Sequence, residues 1–127
     1  MTTKTQIFSR LRIVYYFVRD VHRAIKFYED VLGMKLKFIE RDWAEFEPVN
    51  GLTLALHAGS HGRQPGNQGG ATATFQVDDI LEAKDYLESK GVSLNHPPEN
   101  LGGFEFAEFS DPDGNVLGLV QYMDEKA

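Results

Sequence analysis

A chain of 127 residues, 42% hydrophobic and 25% charged, has the balance of one globular domain, and the lack of cysteine excludes a disulfide scaffold, a thiolate metal site and a cysteine nucleophile. The formal charge of -6 argues against nucleic acid as a partner, and the excess lies in the second half: residues 1–62 carry 9 basic and 7 acidic side chains, residues 63–127 carry 4 and 12. The opening MTTKTQIFSR is polar and no stretch approaches a membrane span, so the expectation is a cytoplasmic protein with no membrane partner.

Residues 11–18, LRIVYYFV, are β-branched and aromatic and read as a strand. Asp20 stands at the N-cap of a helix over VHRAIKFYEDVLG. There Val21, Ala24, Ile25, Tyr28 and Leu32 recur at helical spacing, and Gly33 supplies the stop. Three strand-like runs follow at about 34–41, 43–48 and 52–58. GSHGRQPGNQGG, residues 59–70, has no apolar residue and reads as a linker. The pattern then restarts. ATATFQV is a strand, and Asp78 or Asp79 caps a helix through Lys90 with Ile80, Ala83, Tyr86 and Leu87 on one face. Further strands fall near 92–95, 104–109 and 115–122.

The order βαβββ thus occurs twice. At an offset of 59, Val18 matches Val77, Asp20 matches Asp79, Ala24 matches Ala83 and Glu29 matches Glu88. The reading is one α+β domain spanning 1–127, with module one at about 11–58 and module two at about 71–122. Alternation puts Val14, Tyr16 and Val18 on one face of the first strand and Ile13, Tyr15 and Phe17 on the other. Both faces are apolar or aromatic. One packs under a helix; the other, with Thr53, Ala55 and His57 from a second strand, suits a ligand pocket.

FVRDVHRAIKFYEDVLGMKL, the second copy beginning FQVDD, and the closing DPDGNVLGLVQ resemble the vicinal oxygen chelate superfamily of glyoxalase I, bleomycin-resistance proteins, fosfomycin-resistance enzymes and extradiol dioxygenases. The resemblance implies paired βαβββ modules whose curved mixed sheets form a cup. It also implies metal-binding His and Glu side chains at positions that fall here on Ile13, Ala55, Thr72 and Gly118. Ile, Ala and Gly offer no donor atom, and a lone Thr hydroxyl is a poor ligand, so no metal and no cofactor are expected. Gly118 reads either as room left where an ion would sit or as a strand glycine that admits a neighbouring aromatic ring.

Among the histidines, His22 falls on the exposed side of the first helix, and His61 and His96 lie in loops. His57 shares the cup face with Ala55. The resemblance places Phe104, Phe106 and Glu108 on that face too, so His57 and Glu108 are candidates for an acid–base pair or for the polar rim of an apolar pocket. DPDG is a turn: Pro112 presets its first dihedral and Gly114 takes positive φ.

These observations point to a metal-independent protein that binds a small aromatic or amphipathic compound. The acidic surplus agrees with a cationic one, and a binding-only role resembles the bleomycin-resistance branch, where sequestration needs no catalytic group. Its cup is lined by Ile13, Tyr15, Phe17, Phe46, Ala55, Thr72, Thr74, Phe104, Phe106, Gly118 and Val120. The alternative is a glyoxalase-related lyase, isomerase or dioxygenase with displaced metal ligands or the His57–Glu108 pair. Two curved sheets with apolar surface to cover predict a homodimer.

Overall fold

Two aspartates start the two helices. Asp20 accepts the N–H groups of His22 and Arg23, opening α1 (Val21–Asp30); Asp79, rather than Asp78, accepts those of Leu81 and Glu82, opening α2 (Ile80–Ser89). Around them the computed structural model, which describes residues 7–58, 64–66 and 70–123, folds two sheets. The first takes β1 (Ile13–Val18), β2 (Leu36–Glu40), β3 (Trp43–Phe46) and β4 (Thr53–Ala58) in the order β1-β4-β3-β2. The second takes β5 (Ala73–Gln76), β6 (Glu99–Asn100), β7 (Phe104–Ser110) and β8 (Val116–Tyr122) in the order β5-β8-β7-β6. In each, the first strand runs parallel to the last and the others are antiparallel. The expected βαβββ pair is therefore present.

One strand is displaced from its expected place. Near 92–95 only Leu94 pairs, as an isolated bridge to Phe109, and the edge strand forms at Glu99–Asn100. Pro97 and Pro98 have no N–H to give to a ladder, so pairing with β7 resumes only after them.

The helix sides of both sheets feed one core. Val21, Ala24, Ile25 and Tyr28 of α1 meet Leu54, Leu56, Ala44 and Phe46; Ile80 and Leu87 of α2 meet Ala107, Phe109, Leu117 and Leu119. Burying each large side chain here contributes about 1.5–3 kcal/mol. Phe46 is a correction to the expected cup lining. It is 0% exposed and stacks on Tyr28 with ring centroids 5.7 Å apart. The register explains it: Trp43 lies opposite His57 and Glu45 opposite Ala55, so Ala44 and Phe46 take the helix side with Leu54 and Leu56.

The turn between β7 and β8 locks the modules together. The buried Asp111 carboxylate accepts the Tyr28 hydroxyl at 2.7 Å, the N–H groups of Asp113 and Asn115, and the Asn115 amide. Burial, and then the Asp111 charge, push the Tyr28 phenol well above its ordinary pKa, so it remains a donor. Asn115 donates to the Phe17 carbonyl, and Asp113 accepts from the Arg19 and Arg23 guanidinium groups. Tyr16 of β1 accepts from the Ala73 N–H and donates to the Val116 carbonyl.

Candidate functional site

Because both helix sides are spent on one core, each sheet turns its other face away from that core. On sheet one the register sets out two cross-strand rows. Tyr15, Ala55, Glu45 and Phe38 lie opposite one another across β1, β4, β3 and β2; Phe17, His57, Trp43 and Glu40 form the next row. Ala55 is small and fully buried. That lets rings from β1 and β3, two strand spacings apart (about 10 Å), lean together over it: the Tyr15 and Trp43 centroids are 5.1 Å apart. His57 joins them, 5.4 Å from Trp43 and 5.7 Å from Phe17. Glu45 edges this aromatic surface and its Oε2 accepts the Trp43 indole N–H at 3.0 Å.

Sheet two carries a different surface. Thr74, Leu101, Phe104, Phe106, Val120 and Tyr122 line a shallow, open depression of about 290 Å³. Beyond Phe106, Glu108 faces the same way, and the imidazole it meets is His96: Nε2 lies 3.3 Å from Glu108 Oε1, while Nδ1 donates to the Pro97 carbonyl at 2.9 Å. The Pro97 carbonyl, and to a smaller extent Glu108, favour the imidazolium and raise the His96 pKa above its ordinary value. His57 belongs to sheet one, so within the chain Glu108 is coupled to His96 from the 95–98 loop rather than to the histidine the sequence suggested.

The positions that the resemblance assigns to metal ligands do not fit a metal. Ile13 carries no donor, Ala55 lies under the rings, and Thr72 turns its carbonyl to the Thr74 hydroxyl at 3.2 Å. Gly118 is buried opposite Thr74, whose Oγ1 would stand 2.6 Å from an added Cβ. Gly118 is thus a packing glycine that admits the Thr74 side chain, not a void. Among the described residues, no group of three or more His, Cys, Asp and Glu is placed to hold a metal ion.

Of the expected lining, Ile13, Tyr15, Thr74, Phe104, Phe106 and Val120 are at least partly open on these faces, and Phe17 and Ala55 lie beneath them. His22 is exposed, as expected, and His61 falls outside the described residues. Sequence reasoning missed Trp43, Glu45 and His96. The alternation of 43 and 45 was the one signal for the first two; nothing local marks His96.

Residues 10–119 match the family model described as Glyoxalase/Bleomycin resistance protein/Dioxygenase superfamily. A Bacillus subtilis (strain 168) protein, "Uncharacterized protein YurT", is 27% identical over 122 residues, covering 83% of this chain and 93% of its own. Two solved structures superpose closely. The superfamily member from Sphaerobacter thermophilus DSM 20745 is 28% identical with a TM-score of 0.77, covering 91% of this chain and 99% of its own. TnmS3, an antibiotic binding protein from Streptomyces sp. CB03234, is 28% identical with a TM-score of 0.77, covering 92% and 98%.

Proposed function

The chain belongs to the Glyoxalase/Bleomycin resistance protein/Dioxygenase superfamily, and from that premise we propose that it binds and sequesters a flat aromatic or amphipathic compound without converting it. The observation that carries this reading is the open aromatic surface on the two faces turned from the core, with Tyr15 45% and Tyr122 47% exposed. Aromatic rings in the open bind flat apolar molecules by stacking and exclusion of water. Ile13, Ala55, Thr72 and Gly118 stand where the family's metal ligands are expected, which favours binding over metal chemistry. The likeness to TnmS3 supports an antibiotic or similar natural product as the ligand class.

The cup is completed by a second copy. A chain whose helix sides share one core cannot fold its own two outer faces onto one another. In a two-fold dimer, sheet one of each copy closes over sheet two of the other, giving two equal cups. Sedimentation equilibrium at micromolar concentration should therefore return twice the 14.3 kDa of the chain; a monomer overturns the composite cup. The neutral dye N-phenyl-1-naphthylamine should brighten saturably at one site per chain, and Tyr15→Ser with Phe106→Ser should abolish the signal. Absence of saturable binding, or binding unchanged in that double variant, overturns the reading.

A further inference from the structure

Building on the cup reading, we infer that its sheet-one half selects a planar organic cation, with the Tyr15 and Trp43 rings as the stacking surface and the Glu45 carboxylate as the counter-charge. Three features converge on the row Tyr15–Ala55–Glu45–Phe38. The first is the floor. Ala55 leaves Tyr15 and Trp43 to meet above it, tilted by 58°, so that a guest on one ring face meets the edge of the other. The ring faces carry the negative end of the aromatic quadrupole and attract cations, more strongly where water is excluded.

The second is the carboxylate. Its hydrogen bond from Trp43 fixes its orientation without neutralising it, since indole is a donor that carries no charge. Among the described residues no Lys, Arg or His nitrogen lies within 4 Å of Glu45 to form an ion pair. A negative charge held beside a ring surface and lacking a cation of its own is complementary to a positive ligand. The third is the far wall. Phe38 stands opposite Glu45 across β2 and is 40% exposed, so apolar surface borders the carboxylate on the side away from Tyr15. Rings on both sides of this carboxylate suit a delocalised organic cation, whereas a small hard metal ion needs several oxygen donors grouped around it, and no such group is present among the described residues.

Trp43 is the single tryptophan of the chain, so its fluorescence reports this surface directly. The probes are N-methylquinolinium and quinoline, compared by Trp43 quenching at pH 8, where quinoline is neutral. The two share a ring system and differ in charge and one methyl group. N-methylquinolinium should bind about tenfold more tightly, the scale of a partly desolvated cation–ring contact. Glu45→Gln keeps an acceptor for the indole N–H and removes the charge. It should bring the two affinities within about threefold, with quinoline binding unchanged. Glu29→Gln, which removes the same charge from the exposed side of α1, should keep the preference. Equal affinities in the wild type overturn the cation selectivity and leave the cup standing. A preference that survives Glu45→Gln, or that Glu29→Gln removes equally, also overturns it, because Glu40 beside Trp43 or the net charge would then be the source. Failure of both probes to bind overturns the cup reading itself.

Discussion

Between β3 and β4 the chain reverses through Asn50 and Gly51, both at positive φ, with Val49 and Leu52 exchanging backbone hydrogen bonds and all four residues exposed. Between β7 and β8, the equivalent place in module two, it reverses through Asp111–Asn115, and the side chains of Asp111, Asp113 and Asn115 are buried against module one. The topology is shared; the work is not. One turn needs only the twist of its hairpin, which two left-handed residues supply. The other is a polar wedge that joins the modules, and its hydrogen bonds reach Tyr28, Phe17 and two arginines. A repeated fold thus frees one copy of a turn to become an inter-module clasp.

The sharpest way to break this comparison is to truncate both turns. Asp111→Ala leaves the Tyr28 hydroxyl, two backbone N–H groups and the Asn115 amide without their acceptor in the interior. It should cost about 3–5 kcal/mol in urea unfolding. Asn50→Ala asks an ordinary residue to hold a left-handed conformation in solvent and should cost about 1 kcal/mol. Equal costs would mean that the buried turn does not join the modules energetically.

The paired small residues give a finer contrast. Ala55 in β4 lies opposite Tyr15, whose ring leans toward Trp43; Gly118 in β8 lies opposite Thr74, whose hydroxyl sits over the glycine. Gly118→Ala should therefore cost about 1–3 kcal/mol by overpacking. In a Thr74→Ala background most of that cost should vanish, since the 2.6 Å contact is with Oγ1. A Gly118→Ala protein as stable as wild type would restore the open space that the sequence offered as one reading of this position.

Much of this was legible in the sequence. Asp20, Asp79 and Gly33 mark helix ends through local chemistry, and most helix-side residues follow from period, so the element order was readable; Tyr86, read onto the apolar face of α2, is instead 45% exposed and donates its hydroxyl to the Val31 carbonyl. Phe46 was misplaced because WAEF carries an aromatic at each end, on opposite faces, and only the pairing of Glu45 with Ala55 decides which face is which. The edge strand was misplaced because the apolar stretch near Leu94 is interrupted by the two prolines that delay pairing. His96 was passed over because its partner Glu108 is brought to it by tertiary folding, with the Asn95 N–H donating to the Glu108 carbonyl. The clasp was invisible for the same reason: DPDG looks like a turn whether or not anything packs on it.

The last contrast is between two carboxylates at equivalent register, Glu45 opposite Ala55 and Glu108 opposite Gly118. Glu45 is held by an indole N–H, which does not titrate; Glu108 is held by an imidazole, which does. With Nδ1 donating to Pro97, Nε2 carries a proton for Glu108 only in the imidazolium form. The His96 pKa is raised in the folded protein, so this contribution is fully present below the ordinary value of 6.5 and is lost as the pH rises through the folded value. Both side chains are about one-third exposed, at 28% and 33%, so the effect is small. Wild type should melt about 1–4 °C above His96→Gln at pH 5.5 and level with it at pH 8.5. Titration of the His96 ring signal by NMR should give a midpoint above 6.5. A midpoint below that value, or a melting difference that persists unchanged at pH 8.5, would make His96 a packing residue against Phe106 and remove the asymmetry between the two carboxylates.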